Sequence, residues 1–152
     1  MLRELVLAAG FSIALHGAAT AQSLLLSQES KSPVKETADR LAKAIEEKGL
    51  KVAARVDHAA SAKAAGLEMP PTEVVMFGNP KLGTPLMLSN PDAGIDLPMK
   101  MLIWQDKAGK VWIGYVATET LKVRYGIKDR DEVFTTMAGA LAGLAKAASG
   151  AN

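Results

Sequence analysis

The apolar positions of this chain change period several times, and each change marks an element. Val34, Ala38, Leu41, Ala42 and Ile45 recur at helical spacing, with Lys35, Glu36, Asp39, Arg40, Lys43, Glu46 and Glu47 opposite. Ser32-Pro33 supplies an N-cap hydroxyl and a proline at the first helical position, and Gly49 a left-handed stop. Glu36–Arg40, Asp39–Lys43 and Lys43–Glu47 are expected to pair along the solvated face. Leu50, Val52, Ala54 and Val56 then alternate with Lys51, Ala53 and Arg55, which predicts a strand with one buried face. Ser23–Gln28 reads as a strand, Ala59–Ala65 as a short helix closed by Gly66, and Thr72–Phe77 as a strand after Pro70-Pro71. Thr84-Pro85 repeats the capping pattern, so Pro85–Ser89 is predicted as one or two helical turns. A helix unbroken from Pro80 is not expected, because Pro85 would lie inside it. Leu97–Gln105 and Lys110–Ala117 flank Asp106-Lys107-Ala108-Gly109, a hairpin signal. Val133, Met137, Leu141, Leu144 and Ala148 mark a last helix starting near Asp129–Asp131.

This order predicts a single α+β domain with a mostly antiparallel sheet, two long helices and short helical turns. Pairing Gln105 with Lys110 across the loop would set Trp104 against Val111, Ile103 against Trp112 and Leu102 against Ile113. Met99, Met101, Ile103, Trp112 and Val116 then share one face, and Leu102, Trp104, Val111, Ile113 and Tyr115 the other. Both faces are apolar, so both ask for cover. On the last helix Thr136, Gly139, Gly143 and Ala147 lie opposite the apolar stripe, where charges would normally stand. Interior glycines cost about 0.5–1 kcal/mol each relative to alanine. A homodimer, or a second element packed along Gly139 and Gly143, is the expectation.

Composition narrows the chemistry. The 152 residues include no cysteine and two histidines, so disulfides, thiolate nucleophiles and cysteine-held metals are excluded. Lys+Arg at 18 against Asp+Glu at 16 leaves a small, scattered charge that argues against nucleic acid. Met1–Ala21 reads as a cleaved signal peptide: Arg3 at the start, an apolar run from Leu5 to Leu15, and Ala19-Thr20-Ala21 before a cut at Gln22. That run is too short for a membrane span. The expected domain is therefore residues 22–152, periplasmic or secreted, with no span after cleavage. His16 leaves with the signal, and His58 is the histidine that stays.

The segments Val56-Asp57-His58, Met69-Pro70-Pro71-Thr72-Glu73, Phe77-Gly78-Asn79-Pro80-Lys81, Gly83-Thr84-Pro85 and Asp96-Leu97-Pro98 occur in that order, followed by Trp104 and Gly109-Lys110-Val111-Trp112. In this combination the chain resembles the bacterial domain-of-unknown-function family 302. The resemblance implies a small α+β domain, often dimeric, with no established activity.

His58 follows a strand and precedes a helix, where sites collect, with Asp57 beside it. It can serve as an acid or base, a haem ligand or one metal ligand, or simply cap the helix. Gly78–Thr84 lacks the Lys-Ser/Thr ending of a phosphate loop, although backbone amides and Lys81 can hold an anion. Met99 and Met101 offer thioethers that, with His58, suit Cu(I), yet methionine more commonly fills a core. No serine-nucleophile elbow, dinucleotide fingerprint or two-histidine metal pair is present, which leans away from an enzyme. The sequence identifies no particular cofactor. The family pattern and the topology together give the expected site: Asp57, His58, Asn79, Lys81, Thr84 and Asp96 around a pocket near His58, Asn79–Thr84 and Asp96–Pro98. The expectation is an exported, dimeric binding or interaction domain for a small molecule. The alternatives are an enzyme using His58 as acid or base, and a metal or haem carrier through His58.

Overall fold

Alternating stretches of the chain build one antiparallel sheet in the computed structural model, which describes residues 24–151. The segment Met1–Ala21, expected to be a signal peptide, lies outside those residues, and His16 with it. The elements run β1 (Leu25–Ser30), α1 (Val34–Glu47), β2 (Lys51–Asp57), α2 (His58–Ala64), β3 (Thr72–Gly78), α3 (Pro80–Ser89), a 3-10 turn (Pro91–Ile95), β4 (Met99–Gln105), β5 (Val111–Val116), α4 (Thr118–Arg124) and α5 (Asp131–Ser149). The strands lie side by side as β1-β5-β4-β3-β2, all antiparallel. The expected α+β class holds.

Helices α1 and α5 pack on one face of the sheet. Val34, Ala38, Leu41 and Ile45 of α1 and Met137, Leu141, Leu144 and Ala148 of α5 meet Val75, Phe77, Met101, Ile103 and Ile113 in the core. Burying each of the larger of these side chains stabilises by roughly 1.5–3 kcal/mol. Polar groups are tied at the β1 margin. Ser30 and Thr37 share a buried hydrogen bond of 2.7 Å, and Gln28 donates to Ser149 Oγ. At the β2 margin Arg55 donates to Glu73 (2.6 Å) and meets Asp39 of α1 at 2.8 Å. Asp39 therefore pairs with Lys35 and Arg55 rather than with the expected Lys43. Glu36–Arg40 and Lys43–Glu47 form as expected.

Two registers differ from the sequence expectation, each for a local reason. In the hairpin Trp104 faces Trp112, Ile103 faces Ile113 and Leu102 faces Gly114, one residue from the expected pairing. Asp106 N–H donates to Lys110 O (2.8 Å), and Gly109 takes φ 82°, so the loop is the three residues between them. A glycine in the left-handed region is what such a loop requires. The one-residue shift exchanges faces: Met99, Met101 and Ile103 join Val111, Ile113 and Tyr115 under the helices. Leu102, Trp104, Trp112 and Val116 go to the outer face. In β2 an irregularity between Val52 and Ala54 has a similar effect. Val52 pairs with Phe77 on the helix side, whereas Ala54 and Val56 pair with Met76 and Val74 on the outer side.

Two helices also differ. Helix α3 runs unbroken from Pro80 through Pro85 to Ser89. Pro85 is the sixth of its ten residues, and the carbonyl its ring leaves without an amide partner is that of exposed Lys81, in the first turn, where water can serve it. Arg130 Nε donates to Pro85 O (3.2 Å) and holds the second half. Helix α4 was not expected at all. It carries Arg124, which leads into Tyr125; Arg124 Nη1 and the Tyr125 hydroxyl both lie 2.6 Å from Asp96 Oδ2. The Tyr125 hydrogen bond, helped by Arg124 and opposed by partial desolvation, holds the Asp96 carboxyl below its usual value.

The outer face carries Val56, Val74, Leu102, Trp104, Trp112 and Val116, all partly exposed. Gly114 lets the Trp104 ring lie flat there: a Cβ would sit 3.1 Å from the ring and 3.2 Å from Leu26 O. Gly139 and Gly143 have nothing within 4 Å of an added Cβ, so no element of the described chain packs along them.

Two stability measurements follow. Gly114→Ala should destabilise by about 1–3 kcal/mol in denaturant unfolding, through forced repacking of Trp104. Gly139→Ala should instead stabilise by roughly 0.5–1 kcal/mol; equal responses at the two sites would contradict the packing described. Because the folded value of Asp96 is depressed, its contribution is complete above about pH 4 and is lost as pH falls through that lowered value. Asp96→Asn should therefore be less acid-sensitive than the wild type below about pH 4; parallel losses would show that Tyr125 and Arg124 do not hold the carboxylate.

Candidate functional site: an apolar cleft at one end of the sheet

Antiparallel pairing fixes which loops share an end of the sheet. Lys51 at the start of β2 pairs with Gly78 at the end of β3, and Phe77 pairs with Met99 at the start of β4. The Gly49–Leu50 turn, the N-cap and first half of α3 (Asn79–Thr84) and Leu97–Pro98 therefore gather at one end. Asp57 and His58 close the other end of β2, opposite Glu73. Seven strand residues at about 3.3 Å each separate the two ends by roughly 20 Å.

A cleft of about 600 Å³ opens at the first end. Its floor is Val52, Phe77 and Met99, one wall is Leu82, Gly83 and Met87 of α3, and the other is Met137, Ala140 and Leu141 of α5. Leu97 and Pro98 close the side toward β4. Close backbone passage shapes this corner. A Cβ on Gly78 would lie 3.2 Å from Pro98 Cβ, and one on Gly83 would lie 3.5 Å from Leu97 Cδ1. Phe77, Met99, Met137 and Leu141 are buried, whereas Lys51 and Thr84 are exposed. The volume and mainly apolar lining fall within the range of small-molecule sites.

The structure brings together part of the sequence-expected constellation. Asn79 and Thr84 line the cleft. Asn79 is also the N-cap of α3, its Oδ1 accepting from Lys81 N (2.9 Å). Lys81 is exposed between the lining residues Pro80 and Leu82. Asp96 precedes Leu97 but turns to Tyr125 and Arg124, and its carbonyl accepts from Lys100 Nζ (3.1 Å). Asp57 and His58 do not join this group, which corrects the expected convergence of three segments. The reason is β2 itself: its length lies between His58 and the cleft. Asp57 caps α2 by accepting from Ala60 N (2.8 Å), and exposed His58 is that helix's first residue. Met99 and Met101 point into the core beneath the helices, away from His58's end of β2. Among the described residues no group of three or more His, Asp or Glu is arranged to hold a metal ion.

Sequence reasoning missed most of the walls. Leu50, Val52, Leu82, Met87, Met137, Ala140 and Leu141 read there as ordinary core or linker positions, and apolar lining carries no motif. Helix α5 gave the one available signal, since its stripe residues Met137 and Leu141 are shared between core and cleft.

Comparison with known proteins places this arrangement. Two curated proteins, each named Fluoride-specific ion channel FluC 1, come from Brucella suis biovar 1 and Brucella abortus biovar 1. Each is 48% identical over 89 residues, which is 59% of this chain and 35% and 33% of the relatives. The chain thus spans about a third of the length of these relatives. No helix among the described residues is long and apolar enough to cross a membrane. A crystal structure of an uncharacterized conserved protein DUF302 from Bacillus stearothermophilus superposes with a TM-score of 0.74 at 19% identity. It covers 84% of this chain and 99% of its own, and it shares the fold. Residues 26–144 match the family described as Domain of unknown function DUF302, and the chain belongs to that family.

Proposed function

We propose that this chain is an exported binding domain that holds a small apolar molecule in the cleft between α3, α5 and the end of the sheet. The single observation that carries the reading is the cleft: about 600 Å³, floored by Val52, Phe77 and Met99 and walled by two helices. Burial of apolar surface supplies the affinity, and the few polar groups at the rim supply orientation. Export rests on the pattern of Met1–Ala21. The acid–base and metal or haem readings through His58 have less support, because His58 is exposed at the end of the sheet remote from the cleft. Channel activity, named for the Brucella relatives, is not part of this reading, since an apolar cleft is a poor host for a strongly hydrated anion such as fluoride.

The same reading makes the protein a homodimer through its outer sheet face. Val56, Val74, Leu102, Trp104, Trp112 and Val116 form an apolar surface spanning β2, β3, β4 and β5. Face-to-face packing of two such sheets, about 10 Å apart, removes that surface from water. Here the sheet replaces the glycine face of α5 as the assembly surface, because it offers large side chains where Gly139 and Gly143 offer none.

Native mass spectrometry on protein taken directly from its compartment tests both halves. The expected species is a dimer carrying a bound organic mass that disappears in Ala140→Trp, a variant that fills the cleft from α5. Val74→Lys should give a folded monomer that keeps the bound mass. An empty wild-type protein would end the binding reading; a wild-type monomer would end the dimer.

A further inference from the structure

The wall that α3 supplies is the less firmly seated side of the cleft. Helix α5, the opposite wall, buries seven of its nineteen residues and α1 six of its fourteen, whereas α3 buries Leu86 alone among ten. The 3-10 turn that continues this wall buries only Ala93. Helix α3 is also weak in itself, because Gly83 and Pro85 lie inside it. The first has no side chain to restrict its backbone, and the second has no amide to donate. Segments with so little buried apolar contact open at low free energy.

Polar contacts fasten the wall, and they come from one short stretch, the connection from α4 to α5. Asn90 Nδ2 donates to Tyr125 O (2.9 Å), Ser89 Oγ to Asp129 Oδ2 (3.1 Å) and Arg130 Nε to Pro85 O (3.2 Å). At the far end of the turn, the Tyr125 hydroxyl and Arg124 Nη1 both donate to Asp96 Oδ2. None of these residues lines the cleft, so the fastening can be loosened without changing the surface a ligand meets. The two ends of the segment lie against each other, since a Cβ on Gly78 would sit 3.2 Å from Pro98 Cβ. The chain between them can therefore turn as one body about a single line. Deeper in, Phe77, Met99, Met137 and Leu141 are each at most 9% exposed, so a molecule seated on them has to part the walls.

We propose that α3 and the 3-10 turn form a lid over the cleft, latched to the α4–α5 connection through Asn90 and Tyr125, and that its opening admits and releases the ligand. This rests on the binding reading above and adds the route by which the cleft is filled. The latch bonds are the same with the cleft empty or filled. Weakening one of them therefore speeds entry and release together and leaves the affinity in place.

The test is stopped-flow fluorescence on the full-length processed protein with N-phenylnaphthylamine, a neutral apolar probe that brightens on leaving water. Tyr125→Phe removes one latch donor. Asn90→Asp keeps the oxygen that accepts from Asp92 N and removes the donor to Tyr125 O. Each variant should raise the association and release rates by about 3–10-fold, the worth of one hydrogen bond, with the dissociation constant held within about twofold. Amide hydrogen exchange should quicken over residues 80–95 in both variants and stay as it is in α1. Probe rates equal to those of the wild type in both variants, or exchange that quickens across the whole chain, would overturn the lid and leave the binding reading standing. A wild type that binds no probe would instead overturn the binding reading, and the lid with it.

Discussion

The structure depends on covering a five-stranded sheet from one side with two long helices. Five strands at about 4.8 Å spacing present a surface roughly 20 Å wide between outermost axes, and two helices packed 8–10 Å apart come close to matching it. The match is best over the middle strands, where Val75, Met101, Ile103 and Ile113 are fully buried. Toward the margins helix cover thins, and each edge strand is secured by polar contacts instead. At β1 these are Ser30–Thr37 and Gln28–Ser149, and at β2 they are Arg55 with Glu73 and Asp39. Arg55 matters because Glu73 is buried and acceptor-only when ionised. Loss of the guanidinium would leave an uncompensated charge, which is the expensive way to break such a pair.

The cleft is the place where this cover fails along the strand direction rather than across it. At the end where β2 begins, β3 stops and β4 starts, the sheet is capped by α3, which approaches Leu97 at Gly83. The same antiparallel order that gathers Asn79, Thr84 and Pro98 sends Asp57 and His58 to the opposite end. A site built from these loops is therefore apolar by construction. Its floor is the underside of core strands, and polar groups enter only from the loop tips.

Much of this was legible in the sequence. The helical period of α1 and α5, the alternation of β4 and β5 and the turn residues of the hairpin each describe a local preference that the tertiary structure keeps. What was not legible depended on single residues acting over a longer range. Gly109 in the left-handed region moved the hairpin register by one and exchanged two faces, sending Trp112 outward and Tyr115 inward. The irregularity at Ala53 did the same within β2, so Val56 and Val52, which looked alike in the alternation, point to opposite sides. Pro85 looked like a helix start because local rules place it there. Arg130, forty-five residues later, holds the turn that follows it. For the candidate site, Asn79 was legible because turn chemistry marks it, whereas Thr84 lies within α3 and not at the helix start that Pro85 suggested. The walls were not, since Met87 and Ala140 look like any apolar helix position.

The two surfaces of the sheet carry separate burdens, and β4 is where they meet. Its odd-numbered residues Met99, Met101 and Ile103 face the helices and the cleft, while Lys100, Leu102 and Trp104 face outward. On the reading proposed here, ligand and second subunit would approach one strand from opposite sides. Alternation keeps the two apart, because a change on the outer face removes no atom from the cleft. Communication between them would have to pass through the backbone of β4 or through Lys100, whose Nζ reaches from the outer row to the carbonyls of Asp96 and Pro98. Pro98 also touches the cleft. That lysine therefore ties the outer row of β4 directly to the segment that edges the cleft.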